Sequence, residues 1–226
     1  DLLARELLAA ARHPQRGDAP GRIRGRTREH LELAVLHEVG DVHQLERGLV
    51  LLAQVMQTGA NPVLCLNMAD EARTAGQTVD LAQMERLLGF PVVETEGHRG
   101  LGVAELRAAI VRAAVSPVGR HKLVLGEELD RALAAVRAAL PPSAATDPGA
   151  DWTAVRLLLA DPEHVERVAG LEGGEAAVAE AGRQRRQLQA ATRRDVSVFV
   201  SERYFGFVDG LLREVRWTVL PLARCP

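Results

Sequence analysis

Pro62-Val63-Leu64-Cys65-Leu66-Asn67-Met68-Ala69-Asp70 runs a short apolar stretch directly into a polar Asn-x-x-Asp. The apolar part reads as a short strand bounded by Pro62 and Asn67. An Asn-x-x-Asp at a strand end has the chemistry to read guanine. Its carboxylate accepts two hydrogen bonds, from the N1–H and the 2-amino group, while the Asn amide shapes the loop around the ring. Adenine lacks that paired donor edge. The same four-residue pattern also arises as a plain turn with an Asx contact, so the surroundings decide.

Working outward, residues 31 to 115 alternate apolar strands with amphipathic helices, the pattern of an α/β parallel sheet. Leu33 to Val39 reads as a strand, and Leu45, Leu49, Leu52, Ala53 and Met56 then share one helical face that Gly59 terminates. A third strand is expected at Pro91 to Thr95. Before it, Asp80 precedes Gln83 by three positions as in a capping box, Leu81, Met84, Leu87 and Leu88 mark a helix, and Gly89 closes it. Leu106, Ile110 and Ala113 mark the last helix of this half, which stops near Pro117. Short connections imply right-handed crossovers. Ligands of such sheets gather at the carboxyl ends of the strands, where Asn67, Asp70, Thr95 and Glu96 fall.

After residue 120 the strand signal vanishes, so the fold class is α/β followed by all-α. Leu129, Leu133, Val136 and Leu140 define one helix ending at Pro141-Pro142, and Trp152, Val155 and Leu159 another ending at Asp161-Pro162. Pro141 to Ala150 reads as a surface connection. Val200, Tyr204, Phe207, Val208, Leu211 and Val215 form a long apolar stripe, and the half is a small helical bundle. Trp152 and Tyr204 are expected in its core. Residues 14 to 30 lack an apolar period and are expected as an exposed loop.

With 226 residues and 47% hydrophobic content the chain can bury a substantial core. A net charge of −2 gives no field for wrapping nucleic acid, so the arginines at 22 to 28 and 183 to 194 read as solvated faces. Cys65, inside a strand, and Cys225, next to last, have neither disulfide nor metal spacing, and a reducing setting fits. The seven histidines show no ligand spacing, and His121 reads as a surface residue at a domain junction. No stretch is long and apolar enough for a membrane span, so the polypeptide as given is expected to be soluble. Its start at Asp1, straight into the helical pattern of Leu2 to Leu8, reads as mid-domain.

Binding the phosphates of a nucleotide calls for a G-x-x-x-x-G-K-[ST] loop, and the sequence has no Gly-Lys pair. Asp18-Ala19-Pro20-Gly21 follows Pro14-Gln15-Arg16-Gly17 rather than a hydrophobic strand, and reads as coincidence with the magnesium-contacting Asp-x-x-Gly element.

Gly40-Asp41-Val42-His43-Gln44-Leu45-Glu46-Arg47-Gly48-Leu49 resembles the Val-Asp-Ala-x-Asn-Leu-Glu-Arg-Asn-Leu segment of the ferrous iron transport protein B family. Leu66 to Ala72 is similar to that family's guanine-reading motif, in which methionine, here Met68, stands where other GTPases have lysine. The stretches Trp152 to Pro162 and Arg203 to Val215 resemble the helical domain that follows the GTPase there.

The resemblance implies a partial Ras-like parallel sheet of three C-terminal strands plus a small helical bundle. Residues 1–118 would be a GTPase domain lacking its phosphate loop and first switch, 119–217 a helical spacer that favours GDP binding, and 218–226 a tail toward a membrane permease domain. Asn67, Met68 and Asp70 would read the base, with the Gly97 amide on guanine O6. Thr95 and Glu96 would flank them. The family has Thr-Ser-Ala-x-x-Gly where this chain has Thr95-Glu96-Gly97-His98-Arg99-Gly100, so a carboxylate beside the base edge is a departure. GTP or GDP with Mg2+ would bind in the full-length protein, Fe2+ would be its transported ion without binding here, and the setting would be the cytoplasmic face of the bacterial inner membrane. No residue of this chain is assigned a catalytic or metal-binding role, and no nucleic-acid partner is implied. The alternatives are a non-catalytic remnant or regulatory module of the same fold, and another Ras-like GTPase fragment, which leaves the helical half unexplained.

Overall fold

The computed structural model describes residues 31–36, 42–74, 76–116, 123–215 and 218–219. In the first half, strands β1 (Leu31–Leu36), β2 (Asn61–Asn67) and β4 (Val92–Thr95) alternate with helices α1 (Val42–Gln57), α2 (Ala69–Thr74), α3 (Leu81–Leu88) and α4 (Val103–Val115), with a two-residue strand β3 (Gln77–Thr78). The larger sheet has the order β1-β2-β4 and is parallel throughout, as the alternating pattern requires.

Strand β2 is central, and both of its faces are covered. Successive side chains of a strand point to opposite sides, so Val63 and Cys65 meet Leu106, Ala109 and Ala113 of α4, while Leu64 and Leu66 join Leu45, Leu49, Leu52, Met84 and Leu88. Asp80 caps α3 through a bond from the Gln83 amide (2.9 Å), and Gly89 closes it in the left-handed region (φ 78°). Leu87, read as part of that helix's apolar set, is instead exposed, because Met84 and Leu88 already fill the buried side.

The second half comprises α5 (Glu127–Ala138), α6 (Pro142–Ala145), α7 (Ala150–Leu158), α8 (Pro162–Ala169), α9 (Gly174–Thr192) and α10 (Val196–Glu214). Three expectations are corrected here. The strand signal does not end at residue 120, because β5 (Thr218–Val219) pairs antiparallel with β3. Pro141 to Ala150 is more than a surface connection: it contains α6, and Ala150 is fully buried. Trp152 is only half-buried, its ring lying under the Arg156 guanidinium (5.4 Å) rather than inside the bundle.

Tyr204 is in the core, and its hydroxyl bonds the buried side chain of Gln57 at the end of α1. The end of α10 reaches the first half directly. Val208, Leu211, Leu212 and Val215 belong to the same apolar cluster as Leu45, Leu64 and Met84, and the Asp80 amide donates to the Val215 carbonyl (3.2 Å). Among the described residues no helix is long and apolar enough to cross a membrane. The expected loop at 14–30, Asp18 to Gly21, the helical pattern at Leu2 to Leu8, the end of the first strand at His37 to Val39, His121, Cys225 and most of the tail lie outside the described residues.

Candidate functional site

Parallel pairing aligns Asn67 with Thr95, so the last residues of β2 and β4 stand side by side. The Asn67 Oδ1 accepts two hydrogen bonds across that end, from the Thr95 hydroxyl (2.9 Å) and from the Gly97 amide (3.0 Å). The Thr95 proton thus points to Asn67, so its oxygen is left to accept from the Cys65 thiol (3.3 Å). Burial pushes the Cys65 thiol pKa up, with the Thr95 contact acting against it. Cys65, Thr95, Asn67 and Gly97 therefore form one chain of bonds that ties the loop after β4 to β2.

Met68 turns the backbone out of β2 through a left-handed conformation (φ 62°), uncommon for a side chain of this size. The turn starts α2 at once: the Glu71 and Ala72 amides donate to the Met68 carbonyl (3.1 and 3.2 Å), and Asp70 falls in the first turn. One oxygen of its carboxylate, Oδ1, is buried and has no hydrogen-bond partner among the described residues. The other, Oδ2, faces the His98 Nε2 at 3.5 Å. A buried acceptor is costly unless a donor meets it, so the chemistry of this oxygen suits a hydrogen-bond donor.

The loop after β4 folds back on itself. The Glu96 amide donates to the Leu101 carbonyl (3.0 Å) and the Arg99 amide to the Glu96 carbonyl (2.9 Å). The Glu96 side chain, the unexpected carboxylate, is 8% exposed and lies between two guanidinium groups, Arg73 in close contact and Arg99 at 3.1 Å. Arg73 also reaches Glu94 at 3.3 Å. Burial raises the Glu94 pKa, Arg73 opposes the rise, and Glu96 adds to it.

All six residues singled out from sequence, Asn67, Met68, Asp70, Thr95, Glu96 and Gly97, thus occupy one end of the sheet. The Gly97 amide, expected to face a base oxygen, donates to Asn67 here. Three neighbours were missed: Arg73, His98 and Arg99. The signal available for one of them was the three-residue spacing of Glu96 to Arg99, which the turn after β4 brings together. Arg73 pairs instead with Glu94 and Glu96, more than twenty positions along the chain.

Family models describe two stretches. Residues 27–110 match the model for ferrous iron transport protein B, and residues 126–216 match the FeoB cytosolic helical domain. The chain is 29% identical over 202 residues to an Fe(2+) transport protein A/Fe(2+) transporter FeoB fusion protein of Porphyromonas gingivalis, covering 83% of this chain and 23% of that one. It is 35% identical over 81 residues to an Fe(2+) transporter FeoB of Legionella pneumophila, covering 36% and 11%. The chain therefore spans only a small part of these relatives. Among solved structures, a mutant of NFeoB from S. thermophilus bound to mGDP aligns with TM-score 0.69 and 21% identity, over 78% of this chain and 66% of that one. The cytosolic domain of the T. maritima FeoB iron transporter in its apo form aligns with TM-score 0.62 and 23% identity, over 82% and 67%.

Proposed function

Because the chain belongs to the ferrous iron transport protein B family, as GTPase domain followed by cytosolic helical domain, we propose that it carries the guanine-reading half of a nucleotide site. The observation that carries this reading is the Asp70 carboxylate: among the described residues one buried oxygen has no partner and the other is met by an exposed histidine. Two adjacent acceptors match the two donors of guanine, N1–H and the 2-amino group. Asn67 fixes the loop that closes the site, Met68 sets the turn that aims Asp70, and Gly97 and Thr95 hold the loop to β2. Solved neighbours of this fold carry GDP and GMPPNP, which supports a guanine nucleotide as the ligand.

In the transporter, guanine nucleotide bound with Mg2+ would regulate Fe2+ uptake by a membrane permease part, from the cytoplasmic face. Phosphate contacts and hydrolysis are assigned to no residue of this chain, which has no Gly-Lys pair. Base contacts alone leave affinity low, because phosphate contacts carry much of it in such folds. Titration of the chain with GDP and ADP, followed by amide NMR, tests the reading. GDP should shift the Asp70, Gly97 and His98 signals at millimolar concentration while ADP does not, and Asp70→Ala should abolish the difference. Equal responses to both nucleotides, or a GDP response that survives Asp70→Ala, would overturn it.

A further inference from the structure

The geometry points to Arg73 as a positioning residue for base recognition, one that locks the helix carrying Asp70 to the loop carrying Gly97 through the buried Glu96. The inference rests on the base-reading proposal above and adds a residue to it. Arg73 lies one helical turn after Asp70 in the short helix α2. Its guanidinium forks between Glu94 and Glu96, which lie two positions apart and so point to the same side of the extended chain leaving β4. Glu96 precedes Gly97, whose amide is held by Asn67 at the end of β2. The links therefore close a ring: Asn67, Met68, Asp70, Arg73, Glu96, Gly97 and back to Asn67.

Within that ring the two walls of the base site cannot move independently. Arg73 is itself half exposed, so its ion pairs alone add little. Removing it acts differently, because a carboxylate that is 8% exposed would keep, among the described residues, only Arg99, itself 60% exposed, as a compensating charge. The cheapest relief is for Glu96 to swing into water. Its neighbour Gly97 must then leave Asn67, and the loop opens.

The test uses the chain itself, with GDP and inosine diphosphate, which lacks the 2-amino group, as probes. In Arg73→Met the Gly97 amide should exchange with solvent at least tenfold faster, and the preference for GDP over inosine diphosphate should fall by about tenfold, the effect of roughly one charge-assisted contact. Arg73→Met combined with Glu96→Gln removes the buried charge as well, and should regain most of both. A folded Arg73→Met chain with unchanged Gly97 exchange and unchanged base preference would overturn the role. So would a double variant as impaired as the single one. If Arg73→Met does not fold, Glu96→Gln alone decides: Arg73→Met must become tolerated in that background, and failure to do so overturns the clamp. A parent chain that prefers neither GDP nor inosine diphosphate over ADP would instead remove the base-reading proposal itself, and the recognition role with it.

Discussion

At the scale of single residues, Asn67 holds donors from both β4 and the loop after it through one oxygen. Asn67→Ala deprives both the Thr95 hydroxyl and the Gly97 amide of their acceptor, and Thr95 is buried. Leaving buried donors unmet costs about 1–3 kcal/mol, so the urea midpoint should fall accordingly, and Asn67→Asp, which retains an acceptor oxygen, should lose less. A variant of unchanged stability would show that the loop is held by other means. Asn67 and Asp70 could be read from sequence because their chemistry is specific and they close a strand. Arg73 could not, because its role depends on carboxylates that only the strand alignment and loop closure bring beside it, whereas the Glu96 to Arg99 spacing of three was open to reading. Glu96 looked like an intrusion because Arg73, the partner in closest contact with it, is invisible in the chain order.

At the scale of elements, the legible features were those with local causes. Asp80 and Gly89 bound α3 where the cap residues placed them, and the 3.6-residue period found the buried face of α1. Strands β3 and β5 escaped notice because two residues carry no period, and their pairing joins segments far apart in sequence. The entry to α4 depends on Gly102, which sits at φ 77° and whose Cβ, if present, would stand 2.2 Å from the Glu94 carbonyl oxygen. Gly102→Ala must therefore push the helix start away from β4, and a loss of about 2 kcal/mol or more is expected from strain plus displaced packing, read in thermal or urea unfolding. Capping carries a pH signature in the second half. Asp161 accepts the His164 amide (3.1 Å) and pairs with the His164 ring (2.7 Å) and with Arg156. These contacts, the backbone bond foremost, hold its carboxyl below the ordinary value of 3.8. A depressed carboxyl pKa stabilises the fold at pH values above the ordinary one, and that stabilisation vanishes as pH falls through the lower native value. Asp161→Asn retains a capping oxygen without the charge, so its stability should decline less steeply than the parent's below pH 4, as measured by urea titrations at stepped pH.

At the scale of the molecule, the sequence divides into two grammars but the core does not divide with it. Helix α10 ends among the side chains of α1, β2 and α3, and Gln57 of α1 meets Tyr204 of α10. The connection before α7 also leans on the first half: a Cβ on Gly59 would lie 2.4 Å from Pro148. Each contact joins residues more than eighty positions apart, so no window of sequence could display them, and the apolar stripe of α10 showed that it is buried without showing against what. The consequence is mechanical as well as energetic. A change in the tilt of α10 must be felt at β2, the strand whose end carries Asn67. Leu211, 6% exposed within the shared cluster, tests the coupling. Leu211→Ala should cost about 2–5 kcal/mol, the range for emptying a buried leucine site. The destabilisation should appear equally in both halves, so hydrogen exchange of the β2 amides and of the α7 amides should accelerate by the same factor. Unequal acceleration, with α7 protected while β2 opens, would mean that the helical half folds on its own. Equal acceleration means one cooperative unit, in which a signal from the base site reaches the far bundle through packing rather than through a linker.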